Sequence, residues 1–337
     1  MKRTIARAVV VCLATSALLF GAATPASASC ASDAKSATPA SNESVSKLSE
    51  CGNPTGALLS FTLAGTTVTI EIPPLGESTS MEAALVPGAT GIEQATVTHF
   101  DDGGIGFYYA SSSESHFGGD TLGEAQMIAA KAEAQQESVA ARASAKCSST
   151  AYALLGTYQV GQYEYWINTT AGGMPAGGSA RIQAAAASVS DATNGCGFTG
   201  TTGIPDVYKG TTTLTTQVTA NIGCNARDNY SVHKFGVLNN ANYVAITCRW
   251  AAAGGWMYGS DTVYNNSKSF YAGLSITGCT GATTFDLQHI ATHEILHAYG
   301  LDHVSDTTQV AASGNFYCLT SGRILGGGDY AGLMAIY

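Results

Sequence analysis

Thr292-His293-Glu294-Ile295-Leu296-His297-Ala298-Tyr299-Gly300-Leu301-Asp302-His303 decides how the rest of the chain is read. Its form is H-E-x-x-H-x-x-G-x-x-H. On a helix, His293 and His297 stand one turn apart and project from one face, with Glu294 beside them. Gly300 can take a positive φ, end the helix and turn the chain, so that His303 returns as a third nitrogen ligand. Three protein ligands leave the fourth position of a tetrahedral Zn²⁺ to water, the arrangement of a catalytic ion. Zinc brings the pKa of such a water down to about 7. Glu294 is then placed to take its proton during attack on a carbonyl and to pass it to the leaving amine. The rival reading is an amphipathic core helix whose histidines share a face by chance. The glycine and third histidine at fixed spacing argue against it. His289 continues the i, i+4 series backwards and is expected at the surface or behind the ligands.

Residues 1–28 read as a secretory signal. Lys2, Arg3 and Arg7 are a basic start, Ala8 to Phe20 an apolar run, and Ala26-Ser27-Ala28 a small-residue cleavage site. The run is too short for a membrane span, and no other stretch is long and apolar enough for one. Without these residues the balance is 12 basic against 24 acidic, or −12, which makes nucleic acid a poor partner. Hydrophobic residues are 45% of the chain, which argues against intrinsic disorder. Cys12 leaves with the signal. The eight that remain, Cys30, Cys51, Cys147, Cys196, Cys224, Cys248, Cys279 and Cys318, imply up to four disulfides in a secreted, extracellular protein. None has the C-x-x-C spacing of a structural zinc site.

Residues 29–146 read as an N-terminal region, mostly β. It starts with a Ser- and Ala-rich leader to about Ser49. Leu58 to Ile72 is β structure, and Pro73-Pro74 stops it. Ala95 to Phe100 and Ile105 to Ala110 pair as a hairpin around Asp101-Asp102-Gly103-Gly104. That acidic turn offers oxygens to a Ca²⁺ ion, but a plain turn is the preferred reading. Leu122 to Lys146 is a helical linker. Residues 147–337 then carry strands at Tyr163–Asn168, Val232–Leu238, Tyr243–Trp250 and Thr262–Tyr264, and a helix at Ala180–Ala192. The metal-binding helix is expected over Phe285–Tyr299, with Thr283 and Asp286 as a capping pair. The fold class is α+β, with a mixed sheet on one side of a cleft.

These residues resemble the matrixin branch of the metzincin peptidases over roughly Cys147 to Tyr337. The likeness extends from the zinc motif to Tyr165-Trp166-Ile167-Asn168 with its following Gly-Met-Pro-Ala, and to Gly259-Ser260-Asp261-Thr262-Val263-Tyr264-Asn265. It also takes in Phe285-Asp286-Leu287-Gln288-His289-Ile290-Ala291-Thr292 and the closing stretch Leu325 to Tyr337. The resemblance implies a zincin-like catalytic domain: a twisted mixed sheet, an active-site helix and a C-terminal helix. It implies one catalytic Zn²⁺ held by His293, His297 and His303, Glu294 as general base, and a protein or peptide substrate bound extended along a rim strand. The segment Gly259 to Asn265 looks like the entry to that strand.

The family places a methionine in a tight turn beneath the zinc. Met334, the sole methionine after His303, belongs to the final helix, so the turn is set at Gln309-Val310-Ala311-Ala312 with alanine in methionine's place. Zymogens of this kind can close the metal with a pro-region cysteine. Cys51-Gly52-Asn53-Pro54 faintly resembles such a segment, but the cysteine count favours a disulfide to Cys30. The N-terminal region is then either a removable propeptide or an attached β domain. Asp302 and Asp306 are candidates for orienting a ligand histidine, and Tyr317 and Tyr337 for touching a transition state, with packing the commoner use of each tyrosine. The expected function is a secreted zinc endopeptidase. The alternatives are a secreted binding or adhesion protein with little turnover on the same scaffold, and a hydrolase of small amides.

Overall fold

The computed structural model describes residues 36–37, 40–50, 54–136, 146–314 and 317–337. The signal, Cys30, Cys51 and the last part of the helical linker lie outside the described residues. In chain order the elements of the N-terminal part are β1 (Ser36–Ala37), α1 (Asn42–Ser49), β2 (Leu58–Leu63), β3 (Thr66–Glu71), β4 (Glu77–Leu85), β5 (Gln94–His99), β6 (Ile105–Ala110), β7 (Ser115–Gly119) and α2 (Gly123–Gln136). After these come β8 (Tyr163–Asn168), α3 (Gly178–Ser190), β9 (Asp206–Thr212), β10 (Val218–Thr219), β11 (Gly223–Cys224) and β12 (Val232–Gly236). The chain ends with β13 (Tyr243–Ala252), β14 (Met257–Asn265), β15 (Ser269–Tyr271), β16 (Thr284–Asp286), α4 (Leu287–Ala298) and α5 (Gly327–Ile336). This is a mixed α/β architecture, and the α+β expectation holds at that level. Among the described residues no helix is long and apolar enough to cross a membrane.

One nine-stranded sheet organises the molecule, in the order β7-β6-β5-β4-β13-β14-β12-β8-β9. From β7 to β14 every neighbour is antiparallel; from β14 through β12 and β8 to β9 every pairing is parallel. The sheet runs across the sequence boundary at residue 147, because β4 of the N-terminal region pairs with β13 along its length, from Glu77↔Ala252 to Leu85↔Tyr243. A second sheet, β1-β2-β3-β11-β10, joins the two regions again through β3 and β11.

Strand periodicity sorts side chains between two cores. Met81, Ala83 and Leu85 of β4 and Ile246, Cys248 and Trp250 of β13 pack toward Leu59, Phe61, Val68 and Ile70 of the small sheet. The opposite face of the large sheet contributes Ala84, Ala245, Tyr163, Tyr165 and Ile167, which bury against α3, α4 and α5. Three disulfides, Cys147–Cys196, Cys224–Cys248 and Cys279–Cys318, use all six cysteines of the C-terminal part. They fit an oxidising compartment.

The hairpin over residues 94–110 has the expected pairing, and Asp102 closes its turn by accepting from the Gly104 N–H at 3.1 Å. The cap of α4 differs from expectation. Asp286 alone is the N-cap, accepting from the His289 N–H at 3.0 Å, while Thr284 to Asp286 extend as a short strand beside β15. Asp286 is fixed in turn by a buried Arg323 guanidinium at 2.6 Å. Gly259 to Asn265 also departs from expectation. It lies in β14, hydrogen-bonded to β13 on one side and β12 on the other, and so is interior to the sheet.

Candidate metal centre

Every residue of α4 from Leu287 to Ala298 is buried, so the helix is held by packing on all sides rather than by an amphipathic stripe. It ends where the sequence places Gly300. That residue has φ 102°, and a Cβ there would meet the Thr157 carbonyl oxygen at 2.0 Å. The Leu301 N–H returns to the Leu296 carbonyl and the Asp302 N–H bonds the Ala153 carbonyl, which turns His303 back over the helix.

The three imidazoles converge. His293 Nε2 lies 3.1 Å from His303 Nε2 and 3.1 Å from His297 Nε2. Behind them, His293 Nδ1 is 2.7 Å from the Val310 carbonyl and His297 Nδ1 is 2.8 Å from the Leu301 carbonyl. Carbonyls only accept, so each Nδ1 carries the proton and each of those Nε2 atoms presents a lone pair inward. Lone pairs held this close repel unless a cation lies between them. Two nitrogens sharing a tetrahedral zinc are about 3.3 Å apart, given bonds of about 2.0–2.1 Å. The donor set therefore fits a divalent ion. Burial, then the neighbouring His303, pushes His293 down to about 3, and burial, then Arg249, pushes His303 down to about 4. Both are neutral imidazoles, the form that binds metal.

Glu294 sits beside this cluster, fully buried. Its Oε2 accepts from Thr247 Oγ1 of β13 at 2.6 Å, while Oε1 has no hydrogen-bond partner. Burial pushes its carboxyl up to about 8, against the pull of the Thr247 hydroxyl and the Ala84 backbone N–H. The loop Gln309-Val310-Ala311-Ala312 lies against His293 and supplies the Val310 carbonyl. Asp329 of α5 holds that loop, accepting from the Val310, Ala311 and Gly326 N–H groups at 2.8, 3.0 and 2.7 Å. Met334 is a residue of α5.

Other expectations are narrowed or corrected. Of the two places expected for His289, the surface is excluded: it is 1% exposed, and its ring packs on Gly322, where a Cβ would come within 2.2 Å. Neither aspartate orients a ligand ring in the pattern seen. Asp302 Oδ1 accepts the backbone N–H of His303, and Asp306 holds Ser149 and Thr308. The Tyr337 hydroxyl donates to the Tyr299 carbonyl and accepts from the Gln159 N–H, and Tyr317 packs on the Phe285 ring.

Three contributors escaped the sequence reading: Thr247, Asp329 and Glu82. Thr247 and Arg249 interrupt the apolar run of β13 with polar groups, the one local signal available. Glu82 of β4 lies opposite Thr247 in the pairing register. Ligand-capable atoms of Glu82, Asp302 and His303 all lie within 4.8 Å of one another. Glu82 Oε1 accepts from Arg249 Nη2 at 2.8 Å and Gln94 Nε2 at 3.0 Å, whereas its Oε2 is buried with no partner. Compared with protein-family models and with curated protein sequences, the chain matches none.

Proposed function

We propose that this chain is a secreted zinc-dependent endopeptidase with a metzincin-like, matrixin-type catalytic part over residues 147–337. One observation carries the reading: three neutral imidazoles aim their nitrogens at a common point, with the carboxylate of Glu294 alongside. His293, His297 and His303 would hold the ion. Zinc there supplies Lewis-acid polarisation of a substrate carbonyl. Glu294 takes a proton from the attacking water at its free Oε1 and delivers it to the amine nitrogen as the C–N bond breaks. Thr247 keeps the carboxylate aimed by binding its other oxygen. The Val310 and Leu301 carbonyls keep two rings in the right tautomer. The disulfides and the signal-like start of the chain support export.

The test uses metal analysis and a fluorogenic peptide panel on processed protein. One zinc per chain is expected, with hydrolysis abolished by chelator. Glu294→Ala should retain the ion and lose about 10²–10⁴-fold in turnover, the usual contribution of a general base. Undiminished turnover in that variant would refute the role of Glu294. Zinc-loaded, processed protein that cuts no peptide would favour the binding-protein alternative.

A further inference from the structure

The hairpin of β4 and β5 has two unlike faces. Met81, Ala95 and Val97 lie in the core that includes Leu59 and Phe61. The other face is a grid of hydroxyls, with Ser80 opposite Thr96 and Ser78 opposite Thr98. An antiparallel pair usually turns such a face to water. Here each of the four residues is at most 9% exposed, because α2 and residues 154–158 lie over them. A cavity of about 510 Å³ remains between the hydroxyls and that cover, a size usual for a small-molecule site. Much of the cover is apolar, Met127 and Leu154 included.

One lysine reaches into this cavity. Met127 and Lys131 stand one turn apart on α2 and share its inner face. Met127 packs with Tyr108 and Ala110, and Lys131 follows it inward to the cavity wall. The helix sits so close to β6 that a Cβ on Gly106 would come within 2.3 Å of the Gly123 carbonyl oxygen, which keeps the lysine inside. Lys131 is 8% exposed. Its Nζ lies 4.3 Å from the centre of the Tyr108 ring, and among the described residues it has no hydrogen bond and no ion pair. A buried ammonium without an acceptor is costly. Glu82 and Asp302 offset part of that cost without touching it, while Arg249 adds to it.

Two hydroxyls of the same cavity are also donors in waiting. Thr96 Oγ1 donates to Ser80 Oγ at 3.1 Å, so Ser80 keeps its own proton to give. Arg249 Nη1 donates to Thr157 Oγ1 at 2.7 Å, which leaves the Thr157 hydroxyl in the same state. An ammonium and two hydroxyl protons around one space match an acceptor-only group such as a carboxylate. The charge is limited to one. Arg249 is committed to Glu82 at 2.8 Å, and a dianion beside Lys131 would meet the Glu82 and Asp302 carboxylates that already act on that lysine.

We propose that this cavity binds a small organic monocarboxylate with an apolar body. Lys131 takes the carboxylate, Ser80 and Thr157 donate to its oxygens, and the apolar body lies against Met127 and Leu154. The site is separate from the metal centre, since its walls include none of the three histidines and not Glu294. It is built from β4, β5 and α2 on one side of residue 147 and from residues 154–158 on the other, so both parts of the chain are needed to form it. The inference stands whether or not the chain is a zinc peptidase.

Isothermal titration calorimetry on the full chain tests this with a defined panel: straight-chain acids from butanoate to decanoate, N-acetyl-leucine, the matching amide of each, and inorganic phosphate. At least one acid should bind once per chain, about 10–100-fold tighter than its amide, the scale of a hydrogen bond to a charged group. Lys131→Met keeps the length of the side chain and removes its charge, and it should bring that acid down to the affinity of its amide. Ser80→Ala should weaken the acid about 5-fold, the scale of a neutral hydrogen bond, and covers the case in which Lys131→Met does not fold. No binding of any acid, equal binding of acids and amides, or wild-type affinity for the acid in either folded variant would overturn the proposal. Phosphate binding in preference to every acid would overturn the choice of a monoanion.

Discussion

Asp329→Asn probes how α4 is tied to the end of the chain. The carboxylate accepts three backbone N–H groups at 2.7–3.0 Å, and Asp329 is 1% exposed. An amide keeps the shape but turns one oxygen into a donor. If the NH₂ replaces Oδ1, the Ala311 N–H loses its acceptor; if it replaces Oδ2, the Val310 and Gly326 N–H groups do. An unsatisfied buried donor costs about 1–3 kcal/mol. The bonds that remain lose their charge assistance. Together these predict a loss of about 2–4 kcal/mol in urea unfolding of the metal-free protein. A second effect is separable. The loop that Asp329 holds presents the Val310 carbonyl to His293 Nδ1. Loosening it should weaken zinc binding about 10–100-fold in competition with a chromogenic chelator. A variant destabilised as expected that still binds zinc at wild-type affinity would refute the positioning argument. A variant of unchanged stability would refute the hydrogen-bond accounting.

Gly300→Ala should cost about 2–5 kcal/mol, because alanine pays for positive φ and its methyl strikes the Thr157 carbonyl; chemical denaturation measures it, and a neutral result would contradict the turn geometry. Asp261 carries a pH signature. Burial pushes its carboxyl up to about 7, although the Gln217 and Val232 N–H groups bond it. A raised folded-state pKa contributes stability that is full below the unfolded value near 4 and is lost as pH rises through about 7. The wild-type urea midpoint should therefore fall from pH 5 to 8, and Asp261→Asn should flatten that slope; parallel slopes would contradict the assignment.

The helix that carries His293 and His297 was legible because its chemistry is local. A spacing of four residues on a helix places two rings on one face whatever surrounds it, and Gly300 marks the stop by its own conformational need. Strands such as β8, from its aromatic residues, and β13 and the hairpin over residues 94–110, from the turn residues that bound them, were legible for the same reason. The N-cap was displaced toward Asp286 because Arg323, a sequence-distant residue, fixes that carboxylate. His289 stayed open between the surface and a place behind the other histidines because helical spacing says which way a ring points but not what lies there, and Gly322 lies there.

Sequence by itself determined the imidazole types, their spacing on α4 and the carboxylate beside them, since each depends on bonds and torsions within a dozen residues. Only the tertiary structure decided that β4 lies along β13, which brings Glu82 to His303 from more than two hundred residues away. Strand pairing is made by backbone groups that every residue shares, so the sequence carries no label for which strand meets which. The choice emerges from how two apolar faces are buried at once, and the side chain beside His303 follows from that register.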